Sequence, residues 1–201
     1  MRPAVFLDRD GTLIEERNYL DRLDLIAPFA GTVPGLARLR DAGFALVVVT
    51  NQAGVARGYF DEAFVQRAHE HLASLFARDG LVLDGYYYCP HHPEGVVPAY
   101  RCVCRCRKPA PGMVEDAARD LDLDVARSFV IGDKWIDVEL AGNAGARGIL
   151  VRTGYGAASE ADVPEGLRPF AVVDTLTEAA DLIVAEAGDH SGGASPPRAT
   201  E

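Results

Sequence analysis

The chain has 201 residues, of which 48% are hydrophobic and 25% are charged, values that fit one globular domain with its own core. A net charge of −10 argues against partners such as DNA and RNA, and no apolar run approaches the roughly 20 residues that cross a bilayer. Residues 1–8 lead directly into a motif and leave no room for a signal peptide, so we expect a cytoplasmic protein. We also expect a monomer without membrane or nucleic-acid partners.

Apolar runs rich in β-branched residues alternate with helical patterns along the chain. The predicted strands comprise residues 4–7, 45–49, 86–88, 128–131, 148–151 and 171–173. The predicted helices begin near Thr32, Asp61, Pro111, Ile136 and Thr175. Thr32 and Asp61 are expected N-caps, and Thr175 with Glu178 has the pattern of a capping box. This alternation predicts a Rossmann-like, three-layer α/β/α sandwich with a mainly parallel sheet.

The predicted domain covers residues 1–187, and residues 188–201, rich in Gly, Ser and Pro, are predicted to form a disordered tail. Two connections are unusually long, residues 15–31 after the first strand and residues 89–110 after the third. Both follow strands at the end of the sheet where parallel α/β proteins place their active sites, so we expect lids or specificity loops. Neither connection is long enough for a separate cap domain.

The first strand ends in Asp8 and Asp10, followed by Gly11. In extended geometry the two carboxylates point the same way, and the glycine allows a sharp turn beyond them. Crowded carboxylates require a cation, and Mg²⁺ suits a site of oxygen ligands, water and substrate phosphate. One acid can then attack phosphorus while the other protonates the leaving alkoxide. The alternative is a surface turn that contains Asp and Gly by chance.

Two later segments place phosphate-binding chemistry near the same end of the sheet. Thr50, Asn51 and Gln52 end the second strand, where a hydroxyl and two amides can bind a phosphate oxygen or, alternatively, form a capping turn. Lys108, before the third helix, can neutralise a phosphoryl group during transfer. Lysine occurs at only two of the 20 basic positions, Lys108 and Lys134, which favours function over a solvated basic run.

A fourth polar segment, residues 132–137, ends the strand at 128–131. Asp133 at the strand tip is a candidate third metal ligand, and Asp137 can support the site from the following helix. Lys134 can approach the phosphate or pair with Asp8. The alternative is an ordinary strand-to-helix turn, in which Asp137 is an acidic residue of the first helical turn.

Together these four segments closely resemble the motifs of the haloacid dehalogenase superfamily of phosphatases, over about residues 4–152. The resemblance implies that Asp8 is the nucleophile and Asp10 the general acid/base. It also implies that Mg²⁺ is held by the side chains of Asp8 and Asp133 and by the backbone carbonyl of Asp10. Thr50 and Lys108 would then lie at the phosphate.

All four cysteines lie in or beside the long segment after the third strand, with two histidines. In a cytosolic protein this clustering indicates a metal rather than disulfides, and three thiolates with one imidazole make a closed zinc site that stabilises a loop without a core. More ligands are available than positions. His92 can replace His91, and Cys102 can replace Cys104 or Cys106. Free thiols or a redox pair are the alternatives.

This segment is similar to the zinc loop of a capless subfamily that contains heptose bisphosphate and histidinol-phosphate phosphatases. The similarity aligns the zinc ligands with Cys89, His91, Cys104 and Cys106. Cys102 is then an extra thiol. In the same alignment, the zinc loop places Arg107 and Lys108 around a small sugar phosphate.

Residues 50–60 and 87–93 look more like the heptose bisphosphate branch, which implies hydrolysis of the 7-phosphate of a heptose 1,7-bisphosphate. Arg57 is then a candidate for a distal phosphate contact, or else a solvent-facing arginine. Histidinol phosphate or another small phosphomonoester is the nearest alternative substrate. The acidic balance disfavours a nucleic-acid 3′-phosphatase, and the crowded carboxylates disfavour a non-catalytic, zinc-stabilised binding protein.

Overall fold

A computed structural model describes residues 1–191 of the chain. The strands of this part are β1 (Arg2–Leu7), β2 (Ala45–Asn51), β3 (Gly85–Cys89), β4 (Leu123–Gly132), β5 (Arg147–Val151) and β6 (Ala171–Val173). Its α-helices are α1 (Thr32–Asp41), α2 (Glu62–Ala77), α3 (Gly112–Leu121), α4 (Trp135–Ala144), α5 (Gly156–Glu160) and α6 (Leu176–Ser191). The predicted strands are all present, and the predicted parallel α/β sandwich is confirmed.

The strands form one sheet in the order β3-β2-β1-β4-β5-β6, and each pair of neighbours is parallel. β1 lies in the middle, with Leu7 opposite both Val48 of β2 and Ile131 of β4. The chain winds outward from β1 to β3 and then returns to β4 on the other side of β1. The carboxyl ends of β1, β2 and β4 therefore lie side by side at a switch point, where open α/β sheets bind their ligands.

Two hydrophobic cores, one on each face of the sheet, join the three layers. Alternate residues of β1 contribute to both, because Val5 and Leu7 face one core while Ala4 and Phe6 face the other. The first core packs the sheet against α1, α2 and α6, and the second packs it against α3 and α4. Since both faces are covered, the central strands are apolar where they cross the core, at residues 4–7, 45–49 and 129–131, as is typical of parallel sheets.

The predicted helix caps are present at Asp61 and Thr175, but the prediction for Thr32 is wrong. The Asp61 carboxylate accepts a hydrogen bond from the backbone N–H of Phe64 at 2.7 Å, and the Thr175 hydroxyl accepts one from Glu178 at 3.3 Å. Thr32 is the first residue inside α1, and its hydroxyl donates to a backbone carbonyl in the turn after β1. The N-cap is the preceding glycine, whose φ of 88° lies in the left-handed region.

The two long connections belong to the same domain as the sheet. In residues 1–191 each contains one 3₁₀ turn, Leu23–Leu25 in the first and Pro98–Tyr100 in the second. The tail predicted from residue 188 begins inside α6, which continues to Ser191, and residues 192–201 lie outside the described part of the chain. None of the helices in this part has the length and apolar character that a membrane crossing requires.

His69 of α2 is a buried titratable group in this fold. Only 7% of it is exposed, and its ring stacks on that of Tyr86 in β3, with the ring centroids 5.0 Å apart. Burial, followed by the positive charge of Arg9, lowers the pKa of His69 from its ordinary value to about 3. The folded protein therefore keeps His69 neutral at a pH where the unfolded chain protonates it.

We expect the stability of the protein to fall as the pH decreases below about 6.5, because the unfolded state then binds a proton that the folded state does not. Compared with a His69→Gln variant, the wild type should lose roughly 2 kcal/mol of unfolding free energy between about pH 7 and about pH 5. Urea unfolding at both pH values measures the loss. His71, a less buried histidine of the same helix, provides the control, and His71→Gln should keep the wild-type dependence. Parallel curves for wild type and His69→Gln would contradict the assignment.

Candidate active site

Three carboxylates converge at the carboxyl end of the sheet. Asp8 follows β1, Asp133 follows β4, and Asp137 lies in the first turn of α4. One oxygen of each lies within 4.8 Å of the others, and all three residues are buried. Gly11 permits this approach, because a Cβ atom there would lie 2.1 Å from Asp133 Oδ2 and because its φ of 84° is left-handed.

The ammonium group of Lys108 lies among these carboxylates. Its Nζ is 2.8 Å from Asp8 Oδ1 and 2.6 Å from Asp137 Oδ1, and it donates a further hydrogen bond to the carbonyl of Val49 at 3.1 Å. Burial favours the neutral amine, but the charges of Asp137 and Asp8 outweigh burial and raise the pKa of Lys108. Lys108 is therefore a fixed positive charge at the carboxylate of Asp8.

Asp133 has an oxygen that a metal ion would satisfy. Its Oδ2 accepts a hydrogen bond from the backbone N–H of Tyr155 at 2.8 Å, whereas its buried Oδ1 has no hydrogen-bond partner in residues 1–191. Burial, followed by the charge of Asp8, raises the pKa of Asp133 to about 7. A buried carboxylate oxygen that accepts no hydrogen bond and lies beside a second carboxylate fits a hard cation with oxygen ligands, such as Mg²⁺.

Asp10, the second acid of the first motif, does not belong to this group of carboxylates. Its Oδ2 accepts hydrogen bonds from Nη2 of Arg9 at 2.8 Å and from Nε2 of Gln52 at 2.9 Å. The same Gln52 amide donates to the hydroxyl of Thr50 at 2.9 Å. The sequence pattern predicts a phosphate contact for Gln52 and assigns no role to Arg9. The signal for Arg9 was its place between the two motif aspartates, two residues after a buried strand.

A cavity of about 90 Å³ opens beside these side chains. Asn51 lies on its wall, but its amide holds the neighbouring segment, since Asn51 Oδ1 accepts a hydrogen bond from the backbone N–H of Lys108 at 3.0 Å. Lys134 also lines the cavity, with Nζ 3.4 Å from Glu16 and 3.7 Å from Asp133. The predicted pair between Lys134 and Asp8 is not among the ion pairs of the described residues.

A second candidate metal site lies in the segment between β3 and α3. It brings together one ligand atom each from Cys89, His91, Cys104 and Cys106, all within 4.8 Å of one another. The three sulfurs are 3.2 to 3.5 Å apart, and the Nδ1 of the histidine lies 3.4 Å from the nearest sulfur. The corners of a tetrahedral zinc site with 2.3 Å bonds are about 3.8 Å apart, so a metal fits with a small expansion. Of the alternatives, Cys102 is exposed and His92 lies outside the group.

Positive side chains gather beside this segment. Arg57 Nη2 lies 3.4 Å from His92 Nε2, and Arg107 Nη1 donates to the carbonyl of His91 at 3.1 Å. Burial, and then the charges of Arg107 and Arg57, lower the pKa of His92. This basic group, which we define as Arg57, His92 and Arg107, is suited to an anion, and its last member directly precedes Lys108.

Comparisons with known proteins agree with this geometry. Residues 105–179 match the HAD-hydrolase-like family. The D-glycero-beta-D-manno-heptose-1,7-bisphosphate 7-phosphatase of Escherichia coli K12 is 45% identical over 162 residues, which cover 80% of this chain and 84% of that protein. The Haemophilus ducreyi enzyme of the same name is 43% identical over 177 residues, which cover 87% of this chain and 97% of that protein. The crystal structure of D,D-heptose 1,7-bisphosphate phosphatase from B. bronchiseptica, complexed with magnesium and phosphate, has a TM-score of 0.79 and 35% identity, covering 92% of this chain and 99% of that chain.

The fold, the acidic site and these matches define the class of protein: this chain is a phosphatase, a hydrolase of phosphoric monoesters. Within that class it belongs to the haloacid dehalogenase-like family, among relatives that are heptose bisphosphate 7-phosphatases. The resemblance seen in the sequence motifs is thereby confirmed.

The four side chains of the candidate Cys/His site lie together, whereas the thiol of Cys102 lies outside the group. We expect Cys104→Ser to lower the metal content of the purified protein well below about one equivalent, because a hydroxyl replaces one thiolate of the site. Cys102→Ser, two residues earlier in the same segment, is the matched control and should keep the wild-type metal content. Elemental analysis measures both. If Cys102→Ser lost its metal and Cys104→Ser did not, the ligand would be Cys102 rather than Cys104.

Proposed function

We propose that this chain is a magnesium-dependent phosphatase that removes the 7-phosphate of D-glycero-D-manno-heptose 1,7-bisphosphate through an aspartyl phosphate on Asp8. The observation that carries the proposal is the buried ion pair between Asp8 and Lys108, 2.8 Å apart at the switch point of the sheet. The names of the E. coli and H. ducreyi relatives support the choice of substrate.

The proposed reaction has two steps. In the first, a bond forms between a carboxylate oxygen of Asp8 and phosphorus, the bond from phosphorus to the sugar oxygen breaks, and Asp10 gives its proton to that oxygen. In the second, Asp10 takes a proton from water, whose oxygen attacks phosphorus and releases inorganic phosphate and the free carboxylate of Asp8. Lys108 and the Thr50 hydroxyl bind the phosphoryl oxygens and stabilise their charge.

Magnesium would be held by the side chains of Asp8 and Asp133 and by the backbone carbonyl of Asp10, and it would supply charge neutralisation at the phosphate. Asp133 Oδ1, which accepts no hydrogen bond in residues 1–191, supports this ligand set. Asp137 has a supporting role in the proposal, because its carboxylate holds Lys108 at 2.6 Å. The B. bronchiseptica structure contains magnesium and phosphate, which agrees with the chemistry proposed here.

We assign structural zinc to the Cys/His site, since three thiolates and one imidazole are a ligand set typical of closed zinc sites. The metal would shape the segment that leads into Arg107 and Lys108. A contact with α2 supports the same arrangement: Glu62 accepts hydrogen bonds from the hydroxyls of Tyr88 at 2.6 Å and Tyr100 at 2.7 Å. The zinc segment is thereby fastened to the domain at a point other than the metal.

The basic group offers a place for the second phosphate of a bisphosphate substrate. Arg57 and Arg107 are its charged members, and Arg107 adjoins Lys108, which binds the phosphate that is removed. Asn51, Gln52 and Lys134 are assigned positioning roles, because their side chains are occupied by protein partners. We further propose that the enzyme acts as a monomer in the cytoplasm and binds no nucleic acid, in agreement with its net charge of −10.

An Asp8→Asn variant tests the nucleophile. We expect it to lose at least about 10³-fold in kcat while it remains folded, because an amide oxygen is a far weaker nucleophile than a carboxylate. Steady-state release of inorganic phosphate measures the loss, and the thermal unfolding midpoint tests the fold. Asp24→Asn, an exposed aspartate paired with Arg22, is the control and should retain full activity. Substantial turnover by a folded Asp8→Asn enzyme would refute the assignment.

A substrate panel with an Arg57→Met variant tests the second phosphate. The wild type should show a higher kcat/KM for heptose 1,7-bisphosphate than for histidinol phosphate. In the Arg57→Met variant, the KM for the bisphosphate should rise roughly 10-fold or more, because a charge-assisted hydrogen bond is lost. The KM for a monophosphate should hardly change. Arg67→Met, a change at an exposed arginine, is the control. A preference of the wild type for histidinol phosphate would select the alternative substrate.

A further inference from the structure

Arg9 is an arginine with an unusual environment, because it lies between the two motif aspartates and only 2% of it is exposed. Its Nη2 is 2.8 Å and its Nε 3.2 Å from Asp10 Oδ2, so the guanidinium holds the carboxylate with two N–H groups. A third hydrogen bond runs from Arg9 Nη2 to Gln52 Oε1 at 2.9 Å. The other terminal nitrogen, Nη1, is buried without a hydrogen-bond partner in residues 1–191.

Gln52 forms hydrogen bonds with both Arg9 and Asp10, so the three side chains make a closed hydrogen-bonded group. Its Oε1 accepts from Arg9, and its Nε2 donates to Asp10 Oδ2 at 2.9 Å and to the Thr50 hydroxyl at 2.9 Å. The Asp10 carboxylate is therefore fixed by donors from the two segments that follow β1 and β2 at the candidate site. This fixes its direction more tightly than one ion pair would, because a planar guanidinium and an amide both constrain it.

The energetic cost of this arrangement points to function rather than to stability. A buried arginine with an unsatisfied nitrogen is expensive, and well-packed apolar residues stabilise a core at least as well as a buried ion pair. The arrangement is therefore weak evidence for stability, and orientation of a side chain that must be placed accurately is the function that fits it. Its partner here, Asp10, is partly exposed at 20% and lines the cavity beside Asp8.

We propose that Arg9 is a positioning residue which, together with Gln52, fixes the Asp10 carboxylate for proton transfer to the sugar oxygen. The inference rests on the proposed function, in which Asp10 protonates the leaving group. Proton transfer requires the donor within hydrogen-bond reach of the leaving oxygen, and misplacement of a catalytic group by about 1 Å can cost roughly 10²-fold in rate. Arg9 would thus control the step that depends on protonation and leave binding of the phosphate unaffected.

Two phosphate esters distinguish a positioning role from a structural one. A sugar alkoxide must be protonated as it leaves, whereas p-nitrophenolate leaves without a proton. We expect Arg9→Met to lower the single-turnover rate of sugar release from heptose bisphosphate about 10²-fold, and the release of p-nitrophenolate from p-nitrophenyl phosphate less than roughly 3-fold. Arg9→Lys keeps the positive charge but lacks the planar guanidinium with its two N–H donors. Its single-turnover rate on the sugar ester should lie between those of Arg9→Met and the wild type.

Gln52→Met provides a second variant should Arg9→Met fail to fold, and it is expected to show the same selective loss to a smaller extent. Arg22→Met removes an exposed arginine that pairs with an aspartate two residues away, and it should leave both rates unchanged. Equal losses on both esters, or no loss on either, would overturn the positioning role. A wild type that releases product from neither ester would overturn the proposed function and the inference with it.

Discussion

The site depends on the electrostatic balance among the carboxylates at the tips of β1 and β4. Asp8, Asp133 and Asp137 each place an oxygen within 4.8 Å of the others in a buried environment, and the ammonium of Lys108 offsets part of their charge. Buried like charges without further compensation are strongly unfavourable, and burial followed by the charge of Asp8 accordingly raises the pKa of Asp133. The parallel sheet creates this problem by bringing the strand ends together. A bound cation would neutralise this negative charge, and the same group of carboxylates would then provide metal ligands for the proposed reaction.

The segment between β3 and α3 connects the two candidate metal sites. Cys106 lies two residues before Lys108, and Asn51 at the end of β2 accepts a hydrogen bond from the Lys108 backbone. A metal in the Cys/His group would thus fix one side of the short segment, while Asn51 fixes the other. Glu62, with its two tyrosine partners, fastens the far part of the loop to α2. The position of the Lys108 ammonium beside Asp8 is therefore set by contacts from several elements.

The sequence allowed the architecture and the acidic group to be predicted, because both follow from local rules. A buried strand followed by polar residues identifies a strand tip, and parallel pairing brings such tips together, so Asp8 and Asp133 could be placed from the sequence. Lys108 was predicted instead from the scarcity of lysine and from the family resemblance. Partners within the site could not be predicted. Nothing in the local pattern of Gln52 indicates that its amide donates to Asp10, since that contact depends on the side-chain conformations of two segments distant in sequence. The prediction of Thr32 as an N-cap was wrong for a similar reason. Its hydroxyl donates to a carbonyl distant in sequence, and the N-cap is a glycine at positive φ.

The two motif aspartates have different environments, and the difference matches what the proposed reaction asks of each. Asp8 must be a charged nucleophile in the first step and leave as a carboxylate in the second, and it lies beside a lysine whose pKa is raised. Asp10 must donate a proton in the first step and accept one in the second. This role depends on accurate placement of its carboxylate more than on a contact with Lys108. Its carboxylate is held instead by the Arg9 fork and the Gln52 amide, away from Lys108. Two aspartates of one short segment after β1 thus acquire separate chemical roles, because each contacts a different set of donors from the neighbouring elements.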